Sequence, residues 1–449
     1  MPNHQPPPLL VLSNGHGEDV ISLAVIEALK QRRPELHVSV LPLVGTGEAF
    51  AAAEQRGLLQ RVGPRRRLPS GGFSNQSLTG LLRDLGAGLA LLSWRQWRLV
   101  RAWGRRGQPV LAVGDLLPLL LAWSGGGPYA FLGTPKSDYT WASCPPPGWG
   151  ASPLADAYHR CKGSEWDPWE WALMGAGRCR LVALRDRLTA RGLRRHRVHA
   201  IAPGNPMMDG LGGAPLPEAL RRHRRVLLLP GSRMPEALGN LGRLLAALPD
   251  LPTASGSDEA TWLVLLASGR QPGSDALASV LQARGFQLRE GSRSDRLGEP
   301  AAAPESVWRR GGLELWVGAG RFRHWAGWAE LGLATAGTAT EQLVGLGVPA
   351  LSLPGPGPQF QAGFARRQSR LLGGAVLPLR TAAALRQALL ALLDNERERQ
   401  RLGRVGRRRM GAAGGSDRLA ALIDRRLLRQ ALAPARTPNA ELPSPAPLP

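Results

Sequence analysis

Val226-Leu227-Leu228-Leu229-Pro230-Gly231-Ser232-Arg233, with Glu236 three residues on, is an apolar run that breaks into a glycine turn and then into a helix start. Four successive apolar residues ending at a proline-glycine turn read as a strand buried on both faces. A glycine there lets a phosphate approach the backbone, and the helix offers unpaired N–H groups and the positive end of its dipole. Arg233 can neutralise a diphosphate, while Ser232 can cap the helix or donate to a phosphate oxygen. The same design returns in Ala336-Gly337-Thr338-Ala339-Thr340-Glu341-Gln342, followed by Leu346-Gly347-Val348-Pro349. Gly337, Thr338 and Thr340 supply a turn and two hydroxyls, and Glu341 in the first helical turn can accept hydrogen bonds from ribose hydroxyls. Each block alone is equally an ordinary capped helix start. Their order and shared half of the chain make them a candidate site for a phosphate-bearing ligand, with Gln342 beside it.

Working outward, strands and helices alternate twice. Residues 9–13, 38–43, 110–114, 129–133, 181–184 and 198–202 read as strands, with helices over 21–31 and 78–104. Residues 144–170, rich in Pro, Trp and Gly, read as an irregular loop. Pro203-Gly204-Asn205-Pro206 breaks this series, which places a first domain at 1–208. A second, at 222–425, takes strands at 225–229, 262–267, 286–289, 313–317, 333–336 and 350–353. Its helices fall over 235–248, 274–284, 322–330, 381–393 and 416–431, with a loose insertion at 291–308. Residues 433–449 are Pro- and Ala-rich and read as a disordered tail. The expectation is two α/β domains with mostly parallel sheets, and ligands at the carboxyl ends of the strands.

In the first half the candidates fall at such ends. Asn14-Gly15-His16-Gly17-Glu18-Asp19 follows the first strand, and His16 suits proton transfer near neutral pH. Asp115 follows the strand at 110–114, placed either to take a proton from an acceptor hydroxyl or simply to cap the next helix. Lys136-Ser137-Asp138 follows the strand at 129–133. Lys136 can hold an acceptor phosphate or pair with Asp138 or Asp115. Gly15, Gly17, Glu18, Lys136, Ser137 and Asp138 are candidates to face a second ligand, the acceptor side of a transferase, and Asp115 and His16 are candidates for catalysis.

The net charge is +23, and of 57 basic residues only Lys30, Lys136 and Lys162 are lysine. So arginine-rich a chain fits a base-composition bias as well as a binding surface, and charge alone does not name a nucleic-acid partner. Cys144, Cys161 and Cys179 match no zinc or redox spacing. No apolar stretch reaches the ~20 residues of a membrane span. Trp94, Trp97 and Trp103 interleave with Arg95, Arg98, Arg101, Arg105 and Arg106, which suits either a membrane interface or a core helix with a basic outer face.

Leu-Pro-Gly-Ser-Arg, the Gly-Thr-Ala-Thr-Glu helix start and Gly-Val-Pro together resemble the donor domain of lipid A disaccharide synthases and of the lipid II and glycolipid synthases. Gly204-Asn205-Pro206 with Asp209 is similar to the segment closing their first domain. Gly-His-Gly-Glu-Asp and Gly-Thr-Pro-Lys-Ser-Asp-Tyr are similar to lipid A disaccharide synthase-related proteins. The resemblance implies a GT-B architecture, two facing Rossmann-like domains with a cleft between them. It also implies an inverting hexosyltransferase that moves a sugar from a UDP-sugar to a lipid or lipid-linked acceptor. No metal or cofactor is expected beyond the UDP-sugar co-substrate. The expected location is peripheral, on the inner face of the cytoplasmic membrane, with an anionic surface as partner and no nucleic acid. A UDP-sugar epimerase of the same fold and a catalytically inactive nucleotide-sugar-binding relative are the alternatives.

Overall fold

The computed structural model describes residues 8–64, 88–150, 152–211, 213, 215–252, 261–269, 271–289, 300–355, 357 and 360–429. The expected tail at 433–449 and the start of the helix expected from 78 lie outside the described residues. The first sheet comprises β1 Leu9–Ser13, β2 Val38–Pro42, β3 Gln60–Arg61, β4 Val110–Gly114, β5 Tyr129–Gly133, β6 Cys179–Leu184 and β7 Ala200–Ile201. Its order is β3-β2-β1-β4-β5-β6-β7 with every pairing parallel. The second comprises β8 Arg224–Leu229, β9 Trp262–Ser268, β10 Gln287–Leu288, β11 Ser306–Arg310, β12 Leu313–Ala319, β13 Leu331–Ala334, β14 Ala350–Ser352 and β15 Val376–Pro378. Its order is β10-β11-β12-β9-β8-β13-β14-β15, parallel except along the β10-β11-β12 edge.

Labelled helices are α1 His16–Arg32, α2 Leu89–Arg105, α3 Leu116–Gly125, α4 Pro153–Lys162, α5 Pro168–Met174, α6 Arg187–Arg195, α7 Glu236–Leu245, α8 Ser274–Ala283, α9 Thr338–Gly345, α10 Ala362–Leu371, α11 Ala382–Asp394, α12 Glu396–Met410 and α13 Gly415–Ile423. The central strands β1, β4 and β5 are buried at every position, in near-unbroken apolar runs, because helices cover both faces. Leu9 and Val11 point into one core and Leu10 and Leu12 into the opposite one.

Four expectations needed revision. The loop at 144–170 contains α4 and α5, each with proline in its first turn, and Asp167 and Glu170 form a capping box on α5. The insertion at 291–308 ends in β11, which turns back into β12 through Gly311-Gly312; residues 291–299 lie outside the described part. The helix expected over 322–330 stops at Trp325 and tightens to a 3-10 turn at Ala326–Trp328. The closing helix, assigned by its place in the chain to the second half, returns to the first, where Leu419, Ala420, Ile423, Leu427 and Leu428 join the core beside α1.

That return is fixed at its start by Asp209, whose carboxylate accepts the backbone N–H groups of Gly414, Gly415 and Ser416. A second strap crosses between the halves. The segment between β5 and α4 is gripped by arginines of the second half. Arg370 donates from Nη1 to both carboxylate oxygens of Asp156 and from its other nitrogens to the Ser143 and Trp141 carbonyls, while Arg366 donates to the Gly150 carbonyl. Trp149 donates its Nε1–H to the Pro378 carbonyl.

Candidate active site

The two blocks of the second half meet at the carboxyl ends of β8 and β13, which pair in parallel. Gly231 takes φ 93°, a backbone conformation open to glycine. The turn runs longer than the sequence implied, so α7 begins only at Glu236 and Ser232 does not cap it; no side chain does. Helix α9 also starts without a side-chain cap, after Gly337. Two helix N-termini whose N–H groups no side chain satisfies thus flank one cleft. Thr335 ties the loops together, its hydroxyl donating to the Pro230 carbonyl at 3.0 Å. Beside the turn before α7 lies a pocket open to solvent, lined by Pro230, Gly231, Arg233, Glu236, Thr335 and Phe360, among others, all from the second half. Burial pulls the Arg233 guanidinium below its ordinary value, and the charges of Glu236 and Glu18 oppose that.

Not every donor-side candidate faces the cleft. Thr338 opens α9, but Thr340 is fully buried and its hydroxyl donates back to the Ala336 carbonyl at 2.7 Å. Gln342 donates to the Met207 carbonyl at 2.8 Å, which secures the segment joining the halves. Glu341 is held by Arg185 at 2.7 Å, with both side chains largely buried. Arg185 follows β6 of the first sheet, so this ion pair spans the cleft. Thr335, Phe360 and Arg185 were missed by sequence reasoning. Only Thr335, inside a quoted strand end, carried a local signal.

Across the cleft, Gly15 at φ 126° turns the chain from β1 into α1. Gly17 lies so near α9 that a Cβ there would stand 3.3 Å from the Thr338 hydroxyl. His16 is the first residue of α1, and its side chain lies outside the described residues. Asp115 caps α3 by accepting the Leu117 N–H at 3.2 Å and accepts the Asn14 amide at 2.7 Å. Burial raises its carboxyl above the usual range, with the Leu117 bond and the Lys136 charge opposing. Glu18 accepts from the Thr134 hydroxyl at 3.3 Å. Burial, with the charges of Asp115 and Asp19, pushes its carboxyl up to about 7 against the pull of its hydrogen bonds.

The third loop is more structural than expected. Lys136 pairs with neither Asp115 nor Asp138; its Nζ binds the fully buried Glu170 at 2.6 and 2.8 Å and stands 3.8 Å from Asp167. Ser137 is buried and donates to Asp186 at 2.8 Å. Asp138 is buried and accepts the Glu165 N–H at 2.7 Å, and burial pushes its carboxyl up to about 7. A carboxyl raised by folding contributes stability below its unfolded value, which is lost as pH climbs through the folded one. Asp138→Asn, neutral throughout, is therefore expected to match the wild type near pH 4 and to exceed it by about 2–4 kcal/mol at pH 8. Urea unfolding at the two pH values measures this; an equal offset at both would remove the buried-carboxylate explanation.

No protein-family model matches the chain, and no curated protein matches it. Solved structures do. The S. aureus MnaA–UDP co-structure aligns with a TM-score of 0.53 and 12% identity, over 93% of this chain and 96% of that one. UDP-GlcNAc 2-epimerase from Neisseria meningitidis bound to UDP-GlcNAc aligns with a TM-score of 0.51 and 13% identity, over 93% and 100% of the two chains. Acinetobacter baumannii MurG aligns with a TM-score of 0.49 and 16% identity, over 94% and 100%. At such identities the likeness is one of fold: the chain has the GT-B arrangement, two Rossmann-like sheets facing one another across a cleft.

Proposed function

We propose that the chain is an inverting glycosyltransferase that moves a sugar from a UDP-sugar to a lipid or lipid-linked acceptor at the cytoplasmic membrane face. The donor diphosphate is assigned to the N-termini of α7 and α9, with Gly231, Ser232, Arg233, Gly337 and Thr338. Oriented N–H groups and an arginine neutralise such a charge as it grows on the leaving UDP. The motif resemblance to lipid A disaccharide synthase-related proteins supports the same assignment.

The observation that carries the lipid acceptor is a continuity between the cleft and an exposed apolar face. Asp115 in the cleft is the residue from which α3 starts. Two residues later α3 begins an outward stripe of Leu117, Leu120 and Trp123, each 38–42% exposed. Helix α2 packs beside it at Gly104 against Gly125 and adds exposed Leu91, Trp94 and Trp97. Arg95, Arg98, Arg105 and Arg106 are exposed on the same helix or at its end. Apolar and aromatic side chains edged by arginine suit the boundary of an anionic bilayer. No helix among the described residues is long and apolar enough to cross a membrane. An acceptor whose chains rest on this face would present its polar head at Asp115 and Glu18. An epimerase, acting on the donor alone, gives that face no task.

Incubation with radiolabelled UDP-GlcNAc and a membrane-lipid extract tests the proposal. Label is expected to pass into the organic phase. An epimerised or hydrolysed sugar without labelled lipid would support the epimerase reading, and neither product would support an inactive relative.

A further inference from the structure

We infer that Glu18 is the group that takes the proton from the acceptor hydroxyl, and that Asp115 is a positioning residue. The inference rests on the transferase reading and names its base. Asp115 is committed locally, because its Oδ1 accepts both the Leu117 N–H and the Asn14 amide. These bonds cap α3 and fix the asparagine from which the Gly15 turn departs. Its Oδ1 is thereby taken up in bracing the loop, which sets the orientation of the carboxylate. Glu18 has looser surroundings. Its own backbone N–H bears on the carboxyl, Thr134 supplies a long 3.3 Å bond to Oε1, and a Cβ on Gly15 would stand 3.6 Å from Oε2, in ordinary contact.

Its position is also the more central. Gly15, Gly114 and Thr134, which follow or close β1, β4 and β5, surround Glu18. The chain order of the sheet reverses between β1 and β4, and open α/β sheets bind ligands at such a reversal. Toward the other half, Gly17 abuts Thr338, and the charge of Glu18 acts on Arg233. The carboxyl therefore stands between the donor loops and the acceptor half. The charged groups acting on it are Asp115 and, on its own helix, Asp19; its own charge acts in turn on Arg233 of the second half. Lys136 acts on Asp115. A carboxyl raised toward neutrality is a stronger base than an ordinary glutamate and is partly ionised near neutral pH.

In the step, the acceptor oxygen forms a bond to the anomeric carbon and the bond from that carbon to the diphosphate oxygen breaks. UDP leaves with the electron pair, and the hydroxyl proton passes to Glu18 and then to water.

The test uses the full chain as wild type, Glu18→Gln and Asp115→Asn, with UDP affinity and lipid labelling from UDP-GlcNAc followed between pH 5 and 9. Glu18→Gln is expected to keep UDP affinity within about threefold while transfer falls by about 10²–10⁴-fold. The wild-type rise of kcat/KM through neutral pH disappears in this variant. Asp115→Asn is expected to transfer more slowly but to keep that rise. Wild-type transfer by Glu18→Gln, or loss of the pH-dependent rise in Asp115→Asn alone, overturns the assignment. A wild type that binds UDP and labels no lipid overturns the transferase reading itself, and this role with it.

Discussion

Arg370→Ala is expected to destabilise the protein by about 3–5 kcal/mol, because it strands a carboxylate inside an interface. Arg370 is 5% exposed, and its guanidinium holds both oxygens of Asp156 at 2.9 Å. It also donates to the carbonyls of Ser143 and Trp141 at 2.8 and 2.7 Å. Removing the cation leaves Asp156 and two carbonyls without their donor, in a segment that joins the two halves of the chain. Asp156→Ala in the same background is expected to restore part of the loss, since a deleted carboxylate no longer needs a counter-charge. Urea unfolding of the two single variants and the double gives the coupling. Additive losses would mean that the pair is not acting as a unit.

Glu341→Ala is expected to have two separable effects. Without ligand, it leaves the Arg185 guanidinium, 7% exposed, with only the Thr134 carbonyl at 3.3 Å and the Met410 sulfur at 3.4 Å among the described residues. The expected cost is about 3 kcal/mol, at the lower end of breaking a buried pair. With ligand, the increment in melting temperature produced by UDP-GlcNAc should shrink as well, because a carboxylate in the first turn of α9 is the proposed ribose acceptor. Glu341→Gln keeps an acceptor oxygen and lessens the first effect. Melting curves of both variants with and without UDP-GlcNAc separate the two. A ligand-free Glu341→Ala that melts with the wild type would show that Arg185 does not depend on it.

The sheet-forming segments were legible because buried parallel strands are written as unbroken apolar runs. Val110–Gly114 and Tyr129–Gly133 stand where the sequence placed them. Helix α12 was not, because the face it buries is partly glycine rather than leucine. A Cβ on Gly403 would stand 2.2 Å from the Gly347 carbonyl oxygen, and one on Gly406 would stand 2.4 Å from that of Val344. Close approach to α9 and the turn after it replaces an apolar stripe, and an apolar period does not register it. Asn395, which accepts the Glu398 N–H, was the overlooked start signal. The hairpin β11–β12 did carry a recognised mark in Gly311-Gly312, a two-residue turn between paired strands.

The candidate site was legible in its loops and less so in its side-chain roles. Glycine turns at strand ends announce where a ligand can approach a backbone, which located Gly15, Gly231 and Gly337. Which hydroxyl or carboxyl turns inward depends on contacts made far along the chain. Thr340 bonds within its own helix, Lys136 meets Glu170 on α5, and Glu341 meets an arginine from the other sheet. None of these partners lies near in sequence except the backbone of Thr340's own turn.

Titration of the ligand-free wild-type chain with UDP by calorimetry tests the donor site most directly. The account predicts saturable binding of one UDP per chain, with affinity falling as salt rises because arginine and helix ends hold the diphosphate. Absence of saturable heat up to millimolar UDP would contradict it.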